Sequence, residues 1–96
     1  MCGFTGFTNY IKDDGTVLGR MMDRIVHRGP DASGQFVDTD IALGFRRLSI
    51  IDLAEGGQPM FNEDKSLVLV FNGEIYNFKE LRAELLEKGH VFANNS

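Results

Sequence analysis

The stretch at residues 67–71, LVLVF, is a continuous apolar run that ends at the polar pair Asn72-Gly73. A strand with one exposed face alternates apolar and polar residues, whereas a strand covered on both faces is apolar throughout. The run therefore predicts a strand packed between two layers. Such a strand indicates an α/β protein in which helices pack on a sheet, and it is compatible with a second sheet packed on the first.

Amphipathic helices are predicted on both sides of this strand in the sequence. Residues 16–28 carry apolar side chains at three- and four-residue spacing, and a Gly-Pro pair follows them. A second helix is predicted to begin after Asn77, which forms a capping-box pattern with Glu80, and to end at Gly89. Shorter strands are predicted at residues 2–8, 34–37, 41–45 and 90–93, of which the middle pair forms a hairpin.

The composition excludes several classes of protein. The chain has 96 residues, enough for one domain, and its formal net charge of −4 disfavours binding to nucleic acid or to an anionic membrane surface. No apolar run approaches the roughly 18 residues that a membrane-spanning helix needs, and no secretion signal is recognisable. The single cysteine cannot form an internal disulfide, which suits a reducing compartment, and we expect a cytoplasmic protein.

That single cysteine, Cys2, directly follows the initiator methionine. Removal of Met1 would leave one residue that carries both a thiol and a free α-amine. Reference pKa values are about 7.7–8.0 for an α-amine and about 8.5 for a thiol, so an α-amine can accept a thiol's proton during attack on a carbonyl. The alternative is that Cys2 is a small apolar residue of the core. The residue pattern leaves both open.

Other segments carry groups that attack of a thiol on a carbonyl would need. Asn72-Gly73 leaves the predicted buried strand, where a side-chain amide and a backbone N–H can converge on one oxygen; the alternative is a plain turn. Arg46 and Arg47 lie between apolar segments. An arginine in such a place can bind a carboxylate through its guanidinium or form a structural ion pair.

The remaining polar groups indicate no metal or phosphate site. Segment 27–31, HRGPD, is dense in polar groups, and its alternatives are direct catalysis or a helix end whose cations complement the helix dipole. His27 and His90 stand at no metal-ligand spacing to each other or to Cys2, and the chain has no glycine-rich phosphate loop. We therefore predict no metal and no cofactor in this segment.

Several segments together resemble a known family. They are Cys2-Gly3, 27–31 (HRGPD), 47–52 (RLSIID) and 72–77 (NGEIYN), in the order and approximate spacing of the class II glutamine amidotransferases. That family consists of N-terminal-nucleophile hydrolases, and the match is closest to the glutaminase domain of glutamine-hydrolysing asparagine synthetase. The resemblance implies a four-layer α/β/β/α sandwich, of which residues 1–96 would form only the N-terminal part.

The resemblance also implies catalytic roles. Cys2 would attack the side-chain amide of L-glutamine with its own α-amine as base, and Asn72 and Gly73 would form the oxyanion hole. Ammonia would leave, and water would hydrolyse the glutamyl thioester to glutamate. In the parent protein the ammonia would pass to a synthetase domain that uses ATP and Mg²⁺, as in asparagine biosynthesis.

Substrate-binding residues follow from the same resemblance. It implies that Arg47 holds the α-carboxylate of glutamine and that Glu74 helps to bind the α-amino end. The main chain around a further group of residues would line the pocket: Leu48, Ile50 and Ile51. A family aspartate that binds the substrate amine would lie just beyond Ser96, so we expect this 96-residue chain alone to have little or no glutaminase activity.

Two other hypotheses compete with this one, the first from a different functional class. A catalytically inactive fragment or homologue could serve as a structural module, because an incomplete sandwich exposes strand edges and apolar surface that favour a homodimer. A related amidotransferase could instead deliver ammonia to a different acceptor, as in β-lactam-forming or polymer-modifying homologues. The acceptor would be bound by another domain, so these residues do not distinguish between acceptors.

Overall fold

The computed structural model describes residues 2–8, 14–48 and 57–94, and its centre is a three-stranded antiparallel sheet. The strands are β1 (Gly3–Thr8), β2 (Ala32–Val37), β3 (Ile41–Arg47), β4 (Met60–Phe61) and β5 (Val68–Leu69). The helices are α1 (Asp14–Arg24) and α2 (Phe78–Glu87), and a 3₁₀ turn (Val26–Arg28) follows α1. The central sheet has the order β1-β3-β2, and β4 pairs with β5 in a separate sheet. The prediction of a mixed α/β protein is confirmed.

Strands β2 and β3 are the predicted hairpin, and both are longer than the sequence pattern indicated. The turn between them is held by Asp38, whose Oδ1 accepts hydrogen bonds from the backbone N–H groups of Asp40 at 2.8 Å and Ile41 at 3.0 Å. β1 pairs with the other edge of β3, with Gly3 opposite Arg46. The start of β1, next to Cys2, therefore lies beside the end of β3.

Helix α1 covers one face of the central sheet. Leu18 and Met22 pack against Ala42 of β3, and these side chains are 0%, 3% and 1% exposed. The helix predicted over 16–28 is confirmed as far as Arg24 and is wrong beyond it. There the backbone tightens into the 3₁₀ turn, in which the Arg28 N–H bonds to the carbonyl oxygen three residues back at 3.0 Å.

The small sheet of β4 and β5 approaches the opposite face of the central sheet. The rings of Phe36 on β2 and Phe61 on β4 meet edge to face, with their centroids 5.7 Å apart. A Cβ built on Gly34 would overlap the carbonyl oxygen of Gln58, so the chain that leads into β4 passes directly over β2. The described layers are therefore α1, the central sheet and the small sheet.

The strand predicted at 67–71 is shorter and more exposed than its sequence indicated. Only Val68–Leu69 pairs, and its partner is Met60–Phe61. The side chains of Leu67 and Leu69 are 68% and 53% exposed. The prediction that this strand is covered on both faces is therefore wrong for the described structure, because the face that carries Leu67 and Leu69 stays open to solvent within the described ranges.

Helix α2 lies between the predicted boundaries, although its details differ from those expected. Gly89, at φ +91°, follows it in the left-handed conformation that glycine adopts readily. Asn77 forms no side-chain capping bond, so the capping-box prediction is wrong; its carbonyl oxygen instead accepts the Leu81 N–H at 3.2 Å. Within the described ranges, no helix has both the length and the apolar character needed to span a bilayer.

Residues 90–93, predicted as a strand, do not form one. The carboxylate of Glu63, in the turn between β4 and β5, accepts the backbone N–H of Val91 at 2.9 Å and lies 3.1 Å from Nδ1 of His90. The Val91 bond, followed by the His90 bond, lowers the pKa of Glu63 from its usual 4.5. A side-chain carboxylate thus holds this segment, which the sequence predicted to be a strand.

Candidate active site

The sulfur of Cys2 lies at the end of β3, against the main chain of Leu48. The Leu48 N–H donates a hydrogen bond to Sγ at 3.4 Å, and Sγ lies 3.9 Å from the Leu48 carbonyl oxygen. The register of β1 and β3 produces this contact, because the pairing of Gly3 with Arg46 brings the preceding residue to the end of β3. Cys2 is half-buried and lies outside the buried cluster on the α1 face.

Two side chains from distant segments hold the carbonyl oxygen of Cys2. Arg28 donates to it through Nε at 3.1 Å, and Asn72 donates to it through Nδ2 at 3.0 Å. Gly3 accommodates the arginine, because a Cβ at that position would lie 3.2 Å from its Cδ and Nε atoms. The sequence analysis did not assign this contact to Arg28. The glycine after the cysteine is the signal that could have indicated a close neighbour.

The adjacent arginines of β3 point to opposite faces of the sheet, as alternation along a strand requires. Nε of Arg46 donates to the carbonyl oxygen of Gly29 at 2.9 Å, and a Cβ built on Gly29 would overlap the Arg46 main chain. Arg47 shares the other face with Phe45, and both line a cavity there. Strand alternation therefore places on the cavity side the arginine that was predicted to bind a carboxylate.

The cavity beside Cys2 has a volume of about 740 Å³, within the range of about 300–1,000 Å³ usual for small-molecule sites. Four other predicted site residues line it with Cys2: Arg47, Asn72, Gly73 and Glu74. The rest of its described wall is Phe45, Gln58, Met60, Leu69, Phe71, Ile75, Tyr76 and Phe78. The fold thus brings together predicted residues from the start of the chain, the end of β3 and the loop after β5.

The other predicted pocket residues are not among the described residues that line the cavity. Leu48 contacts the Cys2 sulfur through its main chain and is not part of the described cavity wall. Ile50 and Ile51 lie outside the described residues, as does the rest of segment 49–56.

The described wall carries one side chain of each charge. Arg47 is its cation and Glu74 its carboxylate. A free α-amino acid has a carboxylate and an ammonium group, so the wall offers a complementary charge to each. The thiol of Cys2 lies on the same wall, so a thiol and two charges complementary to an amino acid face one cavity.

The chain bends at Gly73 after β5, and the Asn72 side chain lies near Cys2. The bond to the Cys2 carbonyl oxygen uses one N–H of the Asn72 amide, and a primary amide has two. A Cβ built on Gly73 would lie 3.0 Å from Cζ of Phe71, so a side chain there would press on that ring.

Gln58 is a second residue that the sequence analysis did not identify. Its Nε2 donates to the Phe71 carbonyl oxygen at 2.8 Å, and its Oε1 accepts the Phe71 N–H at 2.6 Å. The side chain thus bonds both main-chain polar groups of the residue that precedes Asn72. A glutamine before a proline in a glycine-rich segment gives no sequence signal of this contact.

The family model described as a glutamine amidotransferase domain matches residues 1–96. The chain belongs to this family. The match includes all the segments that contribute to the cavity, from Cys2 to Phe78.

Curated relatives of this glutamine amidotransferase domain are named as glutamine-hydrolysing asparagine synthetases. The chain is 48% identical over 101 residues to asparagine synthetase 1 of Bacillus subtilis (strain 168). This alignment covers 100% of the chain and 16% of the synthetase. It is 44% identical over 101 residues to asparagine synthetase 2 of the same organism, with 100% and 13% covered. For asparagine synthetase 1 of Arabidopsis thaliana the identity is 43% over 99 residues, with 100% and 17% covered. The chain therefore spans 13–17% of the length of these relatives.

Proposed function

We propose that this amidotransferase domain carries the glutamine-hydrolysing site of an asparagine synthetase-like ligase. The observation that carries the proposal is the position of Cys2, whose thiol lies at one cavity with Arg47, Asn72, Gly73 and Glu74. The names of the relatives, each a glutamine-hydrolysing asparagine synthetase, support the same reaction.

The proposed reaction begins with attack of the Cys2 sulfur on the side-chain amide carbon of L-glutamine. The C–S bond forms as the carbonyl electron pair moves to oxygen. Collapse of this tetrahedral intermediate breaks the C–N bond, and the nitrogen leaves as ammonia after it receives the proton that the thiol gave up. Water then attacks the glutamyl thioester, and cleavage of the C–S bond releases glutamate and regenerates the thiol.

The proposed base is the α-amine of Cys2 itself, which becomes available when Met1 is removed. It accepts the thiol proton, directly or through one water, and returns it to the departing nitrogen. The bonds from Arg28 and Asn72 to the Cys2 carbonyl oxygen support this proposal, because they restrain the carbonyl group next to the Cα atom that carries both the amine and the thiol side chain.

The proposed substrate contacts use both charges of the cavity wall. The Arg47 guanidinium binds the α-carboxylate of glutamine, and Glu74 binds the α-ammonium group. The main chain around Leu48, Ile50 and Ile51 completes the pocket. The contact of Leu48 with the Cys2 sulfur supports its place next to the reacting atoms.

The proposed oxyanion site consists of the second N–H of the Asn72 amide and the backbone N–H of Gly73. Donors placed before the reaction stabilise the charge that develops on the amide oxygen. The 3.0 Å bond between Asn72 Nδ2 and the Cys2 carbonyl oxygen supports this assignment, because it keeps the amide close to the nucleophile's residue.

We propose that the ammonia passes to a synthetase domain of the parent protein, in the cytoplasm, and that ATP and Mg²⁺ are used there. The described cavity wall has a single cation, Arg47, and does not suit a triphosphate. The described order of α1, central sheet and small sheet supports a four-layer α/β/β/α sandwich for the complete domain.

The test uses the natural polypeptide that carries this chain. We expect it to convert glutamine to glutamate and ammonia, and we expect hydroxylamine to trap the thioester as γ-glutamyl hydroxamate. Cys2→Ala removes both products, whereas Cys2→Ser keeps the fold and the size of the side chain and serves as the matched control for thiol chemistry. Turnover that survives in Cys2→Ala contradicts the proposal.

The alternative, a non-catalytic association module, is favoured by a different observation. Exposed apolar side chains surround the loop between β5 and α2, including Leu69 at 53% exposed, Ile75 at 52% and Tyr76 at 93%. Size-exclusion chromatography with light scattering measures whether the protein dimerises, and mass spectrometry of the N-terminus measures whether Met1 is retained. A dimer with Met1 in place supports the alternative over catalysis.

A further inference from the structure

Gln58 connects the central sheet to the loop that carries Asn72. Its Oε1 accepts the Phe71 N–H at 2.6 Å, and its Nε2 donates to the Phe71 carbonyl oxygen at 2.8 Å. A neighbouring strand satisfies a residue's main chain in the same way. Because β5 ends at Leu69, regular strand pairing stops before Phe71, and the Gln58 side chain takes its place.

The main chain of Gln58 is in turn fixed against the sheet. A Cβ built on Gly34 would overlap the Gln58 carbonyl oxygen, so the two chains are in direct contact. Gly34 pairs with Phe45 in the hairpin, and Phe45 is 2% exposed in the cavity wall. A continuous set of contacts therefore runs from the buried sheet through Gln58 to Phe71, the residue bonded to Asn72.

We propose that Gln58 is a positioning residue for the oxyanion site, in that it sets where Asn72 and Gly73 lie relative to the Cys2 sulfur. This inference rests on the proposed function, because an oxyanion site matters only if Cys2 attacks an amide. Gln58 acts through the main chain of Phe71, with which its side chain forms both of its hydrogen bonds among the described residues.

The expected kinetic effect follows from when the oxyanion forms. The hydrogen-bond donors of the oxyanion site bind the substrate oxygen more strongly in the transition state than in the substrate complex. Displacement of these donors therefore lowers kcat and changes the KM for glutamine little. A misplacement of about 1 Å can cost about 100-fold in rate. We expect Gln58→Met, which keeps the side-chain length and removes both hydrogen bonds, to lower kcat about 10- to 100-fold with KM within about twofold.

The experiment measures glutamine hydrolysis in the natural polypeptide that carries this chain. Stoichiometric labelling of Cys2 with an electrophilic glutamine analogue counts the sites that bind substrate next to the thiol, so that kcat is expressed per site. Gln35→Met is the matched control. The Gln35 side chain also forms a hydrogen bond to one other residue, from Nε2 to Met22 Sδ at 3.2 Å. This bond lies on the face of the central sheet that α1 covers. We expect the kcat per site of Gln35→Met to equal that of the wild type.

Gln58→Glu supplies a pH signature. An ionised glutamate accepts the Phe71 N–H but has no hydrogen for the Phe71 carbonyl oxygen, whereas the protonated acid offers both a donor and an acceptor. The ratio of the variant's kcat to the wild-type kcat therefore rises as the pH falls. A residue that only stabilises the fold leaves this ratio, measured per labelled site, independent of pH.

Each other outcome overturns the inference. An unchanged kcat per site in Gln58→Met shows that Gln58 is only structural. A raised KM with unchanged kcat shows that Gln58 contacts the substrate. Absence of glutamine hydrolysis in the wild type, measured before any variant, overturns the proposed function and the role of Gln58 with it, whereas wild-type activity with indifferent Gln58 variants overturns only the latter.

Discussion

The side-chain amide of Asn72 lies 3.0 Å from the carbonyl oxygen of Cys2, across a sequence separation of 70 residues. The bond ties the loop after β5 to the residue that directly precedes β1 of the central sheet. Arg28 binds the same oxygen at 3.1 Å. The side chain proposed to stabilise the oxyanion therefore also fixes the backbone of the proposed nucleophile, and its replacement should disturb both.

Replacement of Asn72 by alanine should lower kcat for glutamine hydrolysis by about 100- to 1,000-fold, the usual loss for an oxyanion donor, with a smaller change in KM. Steady-state assays of glutamate release, per labelled thiol, measure the effect. Asn62→Ala is the control, because Asn62 bonds only within the β4–β5 turn among the described contacts, to Ser66 and Leu67. Equal losses in both variants would contradict the role of Asn72.

Replacement of Arg47 by lysine should raise the KM for glutamine about tenfold or more, since lysine keeps the charge but loses the two-pronged contact with a carboxylate. The kcat should change much less. Arg46→Lys is the matched control on the opposite face, where the arginine bonds to Gly29, and it should leave the KM unchanged. A KM that rises in Arg46→Lys but not in Arg47→Lys would reverse the assignment of the two arginines.

The predictable part of the fold is the part that depends on local pattern. The spacing of Leu18 and Met22 and the polar turn at Asp38 each act within a few residues, and the structure has the helix and the hairpin that they indicate. The apolar run at 67–71 depends instead on layers from elsewhere. A continuous apolar run indicates that a strand is stabilised by burial on both faces, but it does not indicate which segments bury it. In the structure Leu67 remains 68% exposed.

The predictable part of the candidate site consists of residues with distinctive side-chain chemistry. Cys2, Arg47, Asn72, Gly73 and Glu74 were proposed from their chemistry and the family resemblance, and they line one cavity. Two further residues, Arg28 and Gln58, escaped prediction. Both act on main-chain atoms, on the Cys2 carbonyl oxygen and on the Phe71 peptide groups. Gly3 is the only sequence signal for the Arg28 contact, and the Gln58 contact has none.

Gly44→Ala should destabilise the protein by about 1–3 kcal/mol, because an added Cβ would lie 2.7 Å from Cγ and Sδ of the buried Met22 and would separate α1 from β3. Urea unfolding measures the change. Gly19→Ala is the control within α1, where the nearest atom to a new Cβ is 3.9 Å away. We expect that variant to be unchanged or stabilised by about 0.5–1 kcal/mol. Destabilisation of both variants alike would contradict the packing argument.

The hydrogen bonds between the Glu63 carboxylate and the segment after α2 should weaken at acidic pH. Its bonds to Val91 and His90 lower the pKa of Glu63 below its usual 4.5, and the charge of Asp64 opposes this shift. A carboxyl group with a lowered pKa contributes stability that is present above its unfolded-state value and is lost as the pH falls through the lower folded-state value. The Val91 hydrogen bond should therefore be strong at neutral pH and weaken at a pH below 4.5, where protonation removes the negative charge of the acceptor.

The Val91 amide chemical shift, followed by NMR as the pH is lowered, measures this directly. Glu63→Gln is the matched control, because its amide oxygen can still accept the Val91 N–H while the group no longer titrates. The shift of Val91 should then be independent of pH across the same range. A wild-type midpoint above 4.5 would show that the carboxylate is not stabilised by these bonds. An unchanged midpoint in Glu63→Gln would assign the titration to another group, such as the neighbouring Asp64.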